Sequence, residues 1–405
     1  MAQATSPTST TAQSPRVMLY SHDTFGLGHL RRSRLLATAI TQADPSASAL
    51  ILTGSPIAGR FTFPRRVDHI RLPGVTKRAD GSYVSTTLGM DIDATTSLRA
   101  GLIQSAVEQY EPDLLIVDKE PAGFRGELLP TLDDLVSNDR TKLVLGLRDV
   151  LDEPTVLAAE WARKGAVEAT DRYYDDIWVY GLRSIYDPTK GLPLSAQTRA
   201  RMHWTGYLRR SVTPSCTPLD EAYILVTPGG GGDGEALVDL VLKAYEQDPD
   251  LSPNAKLVYG PFLSGETRRA FEDRVERLEG RVTTVGFEAE METLFAGAQG
   301  VICMGGYNTF CEVLSFDKPA VILPRTVPRL EQYIRAARAE ELGLCRMLDE
   351  TRDGLTPAAM IRAIRGLPDQ APPSGAFVDG LLDGLGTVNA RVRALLGHRS
   401  SCAAE

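Results

Sequence analysis

Short apolar runs recur along the chain, each ending in a glycine-rich or polar turn and followed by a stretch with apolar residues three and four apart. This alternation predicts buried strands joined by helices, an α/β chain built on parallel sheets. In the first half the runs fall at residues 16–21, 49–53, 68–72, 113–117, 142–147, 177–180 and 201–205. In the second half they fall at 223–227, 256–259, 281–285, 300–304, 320–323 and 346–348. Helical spacing is clearest after Gly28, where Leu30, Leu35, Leu36, Ala39 and Ile40 share one face. Further helices are expected at 98–110, 235–246, 290–298, from Asn308 or Thr309 to 314, and at 331–342, 357–365 and 386–397. Residues 73–97 read as one long polar loop, and a loop of that length in a compact domain is usually functional or disordered.

The pattern is interrupted at residues 207–220, where Pro214, Cys216 and Pro218 mark a linker. The expected organisation is a disordered tail at 1–15, a Rossmann-like domain at 16–206, and a second one at 221–385. Residues 386–405 form a terminal helix and tail, free to return to the first domain. A chain of 405 residues is long enough for two such cores. Its net charge of −8 argues against a broad nucleic-acid surface. The five cysteines lack metal-ligand spacing and suit reduced thiols of a cytoplasmic protein. No apolar run approaches the roughly 20 residues of a membrane-spanning helix, and residues 1–15 lack the features of a secretory signal.

The chemistry gathers in three turns. Residues 301–333 hold two strand–helix units, whose loops share the carboxyl edge where open α/β sheets bind ligands. Gly305 and Gly306 allow close approach of backbone to a phosphate, and Asn308 or Thr309 can cap the helix behind them. Glu312, one turn on, can face the same ligand. The second turn is 228–234, where Gly229, Gly230, Gly231 and Gly232 lie between a strand and a helix without the lysine of a P-loop. The third is Gly26-Leu27-Gly28-His29-Leu30-Arg31-Arg32, which lacks the last glycine of a dinucleotide fingerprint. Its histidine, read by itself, is equally a turn-lining residue or a base. Arg31, Arg32 and Arg34 either touch phosphate or lie in part on a solvated face. His22 and Asp23 read as turn residues or as side chains that orient His29.

Two of these stretches carry a family likeness. Gly306-Tyr307-Asn308-Thr309-Phe310-Cys311-Glu312, then Lys318-Pro319, Pro324 and Glu331-Gln332, resembles the donor half of GT-B glycosyltransferases, especially glycosyltransferase family 28. Gly-x-Gly-His at 26–29 resembles that family's N-terminal loop, and with the arginines after it, the loop of nucleotide-sugar hydrolases of similar fold. The resemblance implies two Rossmann-like domains facing a cleft, 16–206 on the acceptor side and 221–385 binding the nucleotide-sugar, and inverting transfer of a sugar from a nucleotide diphosphate-sugar, a UDP-sugar first, to an acceptor hydroxyl. The loop at 73–97 would face the acceptor, which makes Lys77, Arg78 and Tyr83 acceptor-side candidates, with His22 and Asp23 open to acceptor contact. It implies a base at His29 assisted by Asp118, ribose binding by Glu312, and sugar binding by Glu331 and Gln332. Diphosphate contacts fall to the 229–232 glycines, and Phe287 flanks the base. Gly28 and Arg31 belong to the loop at the reacting centre. Arg325 and Arg329 depart from the family pattern and are candidates for an added diphosphate contact. No metal or other cofactor is expected. The acceptor, lipid-linked or a small molecule, stays open, as does peripheral membrane contact. The alternatives are a hydrolase of similar fold, a non-hydrolysing sugar-nucleotide epimerase, for which the sequence offers no identifiable acidic groups flanking the sugar, and an inert nucleotide-sugar-binding subunit.

Overall fold

The computed structural model describes residues 14–23, 27–78, 82–212, 222–230 and 232–402. Most of the tail and linker expected from sequence, together with Gly26 and Gly231, lie outside them. The first sheet comprises β1 (Arg16–Ser21), β2 (Ser48–Thr53), β3 (Val67–Arg71), β6 (Leu114–Asp118), β7 (Lys142–Arg148), β8 (Asp176–Tyr180) and β9 (Met202–Trp204). Helix α1 (Gly28–Ala43) follows β1 and buries Leu30, Leu36 and Ile40. The strand order is β3-β2-β1-β6-β7-β8-β9, and every pairing is parallel.

The region expected as a single loop is more ordered than its composition suggests. It contains the antiparallel pair β4 (Val75–Lys77) and β5 (Tyr83–Ser85), and helix α2 (Ile92–Tyr110) begins six residues ahead of the expected position. The cause is local: the Asp91 side chain accepts from the Ala94 amide at 2.7 Å and starts the helix over a polar first turn.

The second sheet runs β12-β11-β10-β13-β14-β15, again parallel. Its strands are β10 (Ile224–Thr227), β11 (Ala255–Val258), β12 (Val282–Val285), β13 (Gly300–Cys303), β14 (Ala320–Ile322) and β15 (Arg346–Met347). Helices α3 (Tyr307–Ser315) and α4 (Glu331–Glu341) follow β13 and β14. Strand order reverses between β1 and β6 in one sheet and between β10 and β13 in the other. Those reversal points open the crevices where doubly wound sheets bind ligands. They carry residues 22–23, 27–32 and 118–120 on one side, and 228–230, 232–234 and 304–309 on the other.

The last helix, α5 (Gly384–Cys402), packs on α1 of the first sheet. Arg391 pairs with Asp176 there at 2.8 Å. At the crossover, the Tyr207 amide donates to Leu381 O at 2.8 Å and the Gly384 amide to Tyr207 O at 3.2 Å. Gly206 has φ +86°, and a Cβ there would lie 2.5 Å from Gly380 O, so no other residue fits this bend. Among the described residues no helix is long and apolar enough to cross a membrane.

Candidate active site

An open cleft lies between the two sheet edges. The first domain lines it with Gly28, His29, Arg31, Arg32, Phe61 and Arg148. From the second come Gly229, Gly230, Phe287, Gly306, Asn308, Thr309, Arg325, Glu331 and Gln332. Most of the residues singled out from sequence therefore meet in one place. Gly305 and Glu312 lie beneath the wall, and Gly232 sits on the outer side of its turn against Phe262.

His29 is in the first turn of α1, and Asp118 ends β6, the neighbouring strand. Their side chains meet, with His29 Nδ1 2.5 Å from Asp118 Oδ2. Burial pushes the imidazole down and outweighs Asp118, leaving it at about 4. The ring is therefore neutral near pH 7. Burial alone would raise the Asp118 carboxyl, but Arg32 and His29 hold it well below the usual carboxylate range. His22 and Asp23 lie just behind, both 5% exposed, with the His22 ring edge-on to His29 at 5.7 Å. Asp23 accepts from the Thr53 hydroxyl and is raised to about 6 by burial.

The second domain's wall of the cleft is built largely from backbone. Gly229 has φ +93°, and a Cβ at Gly230 would lie 3.0 Å from Leu27 Cβ, so the glycine turn presses directly against the first domain. Helix α3 has Gly306 at its N-cap and no side-chain cap, contrary to the cap expected at Asn308 or Thr309. Both residues lie in the first turn, and the Asn308 amide is drawn elsewhere. Its Nδ2 donates to Gly28 O at 3.0 Å, and its Oδ1 accepts from Arg210 at 2.7 Å. Uncapped first-turn amides leave this helix end open to an anion. Phe287 meets Phe61 of the first domain edge-on at 6.2 Å.

The charged residues depart most from expectation. None of the three α1 arginines lies on a solvated face. Arg31 contacts Glu312 and lies 3.3 Å from Glu292, while Arg34 lies 3.3 Å from Glu290. Glu312 is 1% exposed beneath Arg31, so it does not face the cleft as its spacing suggested. Arg325 is held by Asp233 and Glu331, and Arg329 by Asp152 at 3.2 Å and Glu160 at 2.8 Å. Neither is free for the diphosphate in this state. Glu331 also takes Arg148 at 2.5 Å; burial raises its carboxyl, but Arg148, Arg335 and Arg325 bring it down to about 2. Gln332 Oε1 accepts from the Arg325 amide at 3.1 Å.

Sequence reasoning missed Arg32 as a partner of Asp118, although its place three residues after His29 on one helix gave a usable signal. It also missed Phe61 and the buried Asp149–Arg335 pair, which no local pattern announces. Among the acceptor-side candidates, Tyr83 packs edge-on against Phe124 at 5.0 Å and Lys77 lies 5.9 Å from the Tyr83 ring. Among the described residues no group of three or more His, Cys, Asp or Glu side chains could hold a metal ion.

Residues 223–370 match the glycosyltransferase family 28 C-terminal domain. The matched stretch contains the 228–230 and 304–309 turns described above. The chain is also 26% identical over 219 residues to an uncharacterized glycosyltransferase of Methanosarcina acetivorans, covering 52% of this chain. It spans about half, 54%, of that curated relative. Among solved structures it is similar to the calicheamicin glycosyltransferase CalG4, with 16% identity, 95% and 98% of the two chains covered, and a TM-score of 0.58. MurG of Acinetobacter baumannii gives 13%, 93% and 95%, and 0.53. A UDP-N-acetylglucosamine 2-epimerase gives 12%, 96% and 97%, and 0.62. Identities this low speak for the fold alone, and the fold is GT-B.

Proposed function

We propose that the protein is a glycosyltransferase that moves a sugar from a UDP-sugar to an acceptor hydroxyl with inversion. The observation that carries the reading is the His29–Asp118 pair, placed at the first sheet's reversal point and opposite the glycine turns of a family 28 domain. An Nδ1 that donates to Asp118 leaves Nε2 as the basic nitrogen of the ring. In the proposed step, Nε2 takes the acceptor hydroxyl proton as the acceptor oxygen bonds to the anomeric carbon. The bond from that carbon to the diphosphate breaks, and the nucleoside diphosphate departs. The amides of the 229–230 turn and of the uncapped α3 terminus stabilise the charge that develops on it. The reading needs no metal cofactor. It places the protein in the cytoplasm, with the acceptor taken up on the side of the β4–β5 hairpin. An acceptor on a lipid carrier would add peripheral membrane contact.

The test is mass spectrometry of purified protein incubated with UDP-, GDP- and dTDP-sugars, first without an acceptor. Tight binding of one donor with negligible sugar release supports a transferase awaiting its acceptor. Enzyme-like release of free sugar would replace this reading with the hydrolase. Failure to bind any donor would overturn both.

A further inference from the structure

We propose that Arg32 is a positioning residue for the base, locking the Asp118 carboxylate so that the His29 ring is held as its Nδ1–H tautomer with Nε2 left for the acceptor. This inference rests on the proposed role of His29.

Arg32 is 1% exposed. Its Nε donates to Asp118 Oδ1 at 3.0 Å, and its Nη2 to Oδ1 at 2.6 Å and to Oδ2 at 2.7 Å. The same Nη2 lies 3.1 Å from His29 Nδ1. A guanidinium has no acceptor, and two acceptors cannot face each other at the 2.5 Å that separates Nδ1 from Asp118 Oδ2. Nδ1 therefore carries the proton and donates it to the carboxylate. The guanidinium is itself fixed by aromatic rings, 5.9 Å from the Tyr180 centroid and 5.4 Å from that of Tyr307. Tyr307 begins α3 in the second domain, so the support for the base is completed across the cleft.

The groups facing this centre come from every element around it. His29 is met by Asp118 and Lys119 at the end of β6, by Arg32 of α1 and by His22 beyond β1. Asp118 also feels Asp23 and Tyr180. Among these, Arg32 alone touches both members of the pair. It offsets the carboxylate charge that would otherwise draw a second proton onto the imidazole, and it opposes that proton directly. Lysine in its place supplies charge but not the fork that clamps both oxygens.

The test is ¹⁵N NMR of histidine-labelled full-length protein, which reads tautomer and titration without any acceptor. The wild type is expected to show His29 as the Nδ1–H form across neutral pH. An Nε2–H form would overturn the inference without recourse to any variant. In Arg32→Met the His29 midpoint is expected to rise by about one pH unit or more, a tenfold change in proton affinity. Arg32→Lys should recover part of that shift, but with a mixed tautomer. An unchanged midpoint and tautomer in folded Arg32→Met would reduce Arg32 to a structural counterion. Absence of sugar transfer would remove the proposed function and leave these imidazole measurements standing, so the two failures are distinguishable.

Discussion

Among the described residues Asp149 and Arg335 form the most deeply buried ion pair between the two domains, each 1% exposed. Arg335 Nε donates to Asp149 Oδ2 at 2.7 Å and Nη2 to Oδ1 at 2.6 Å, while Nη1 donates to Gly305 O at 2.9 Å. The Tyr207 hydroxyl adds a bond to Asp149 Oδ2 at 3.0 Å. Arg335→Met preserves much of the stem volume but leaves a buried carboxylate with only Tyr207 among its described side-chain partners. Stranding one member of a buried pair costs about 3–5 kcal/mol. Asp149→Leu strands the guanidinium and carries a similar penalty. The double variant leaves no buried charge, so its loss should fall short of the sum by about 3 kcal/mol. Urea unfolding of the four proteins, followed by tryptophan fluorescence, measures this coupling, and small-angle scattering reports whether the cleft opens. Single-variant losses below about 1 kcal/mol that simply add would refute the reasoning, because the pair would then be hydrated in solution and the domains apart.

Three further outcomes follow from the same geometry. If Glu312 takes ribose hydroxyls, Arg31 must first let go; Glu312→Gln should weaken donor binding about tenfold and Arg31→Gln should tighten it by a similar factor, about 1.4 kcal/mol each. Isothermal titration that finds both affinities unchanged would take Glu312 out of the donor site. His29→Ala should lower turnover about 10²–10⁴-fold and leave donor affinity nearly intact; turnover at the wild-type rate would remove His29 as the base. Finally, His29 titrates at about 4 when folded, against an ordinary value of 6.5, so the unfolded chain binds the extra proton first as pH falls. Stability should drop between those limits by at most about 1.4 kcal/mol per pH unit from this group, and His29→Gln should flatten that part of the curve in pH-dependent urea unfolding.

Much of the fold is legible because buried parallel strands leave a strong mark. Arg16–Ser21 coincides with the expected strand, and Ala255–Val258 and Met202–Trp204 differ from theirs by one residue at each end. Helix starts are less visible. α2 opens on Asp93, Thr95 and Thr96, which hide its apolar period, so its beginning depends on the Asp91 cap. At α3 the obvious capping residue, Asn308, is claimed by a carbonyl 280 positions away in sequence. A tertiary bond has overridden a local preference, and no reading of neighbouring residues could anticipate it.

The site divides along the same physical line. Glycines that need a positive φ and a histidine opening a helix are local signals, and they led directly to the cleft. Charges are different, since the sign and spacing of an arginine do not name its partner. Arg31, Arg34, Arg148, Arg329 and Arg335 all find carboxylates in the opposite domain. Desolvating so many ion pairs yields little net attraction, because each charge loses water nearly as favourable as its partner. The same pairs are demanding about geometry, since a small displacement leaves a carboxylate buried and unmatched. Two domains joined in this way close in one register, yet they reopen at modest cost, because the separated charges regain their hydration. An apolar seam of equal area would resist opening far more strongly. On the proposed function the cleft must admit a nucleotide-sugar and release a nucleotide, which needs definite closure without tight adhesion, and cross-domain ion pairs supply that combination.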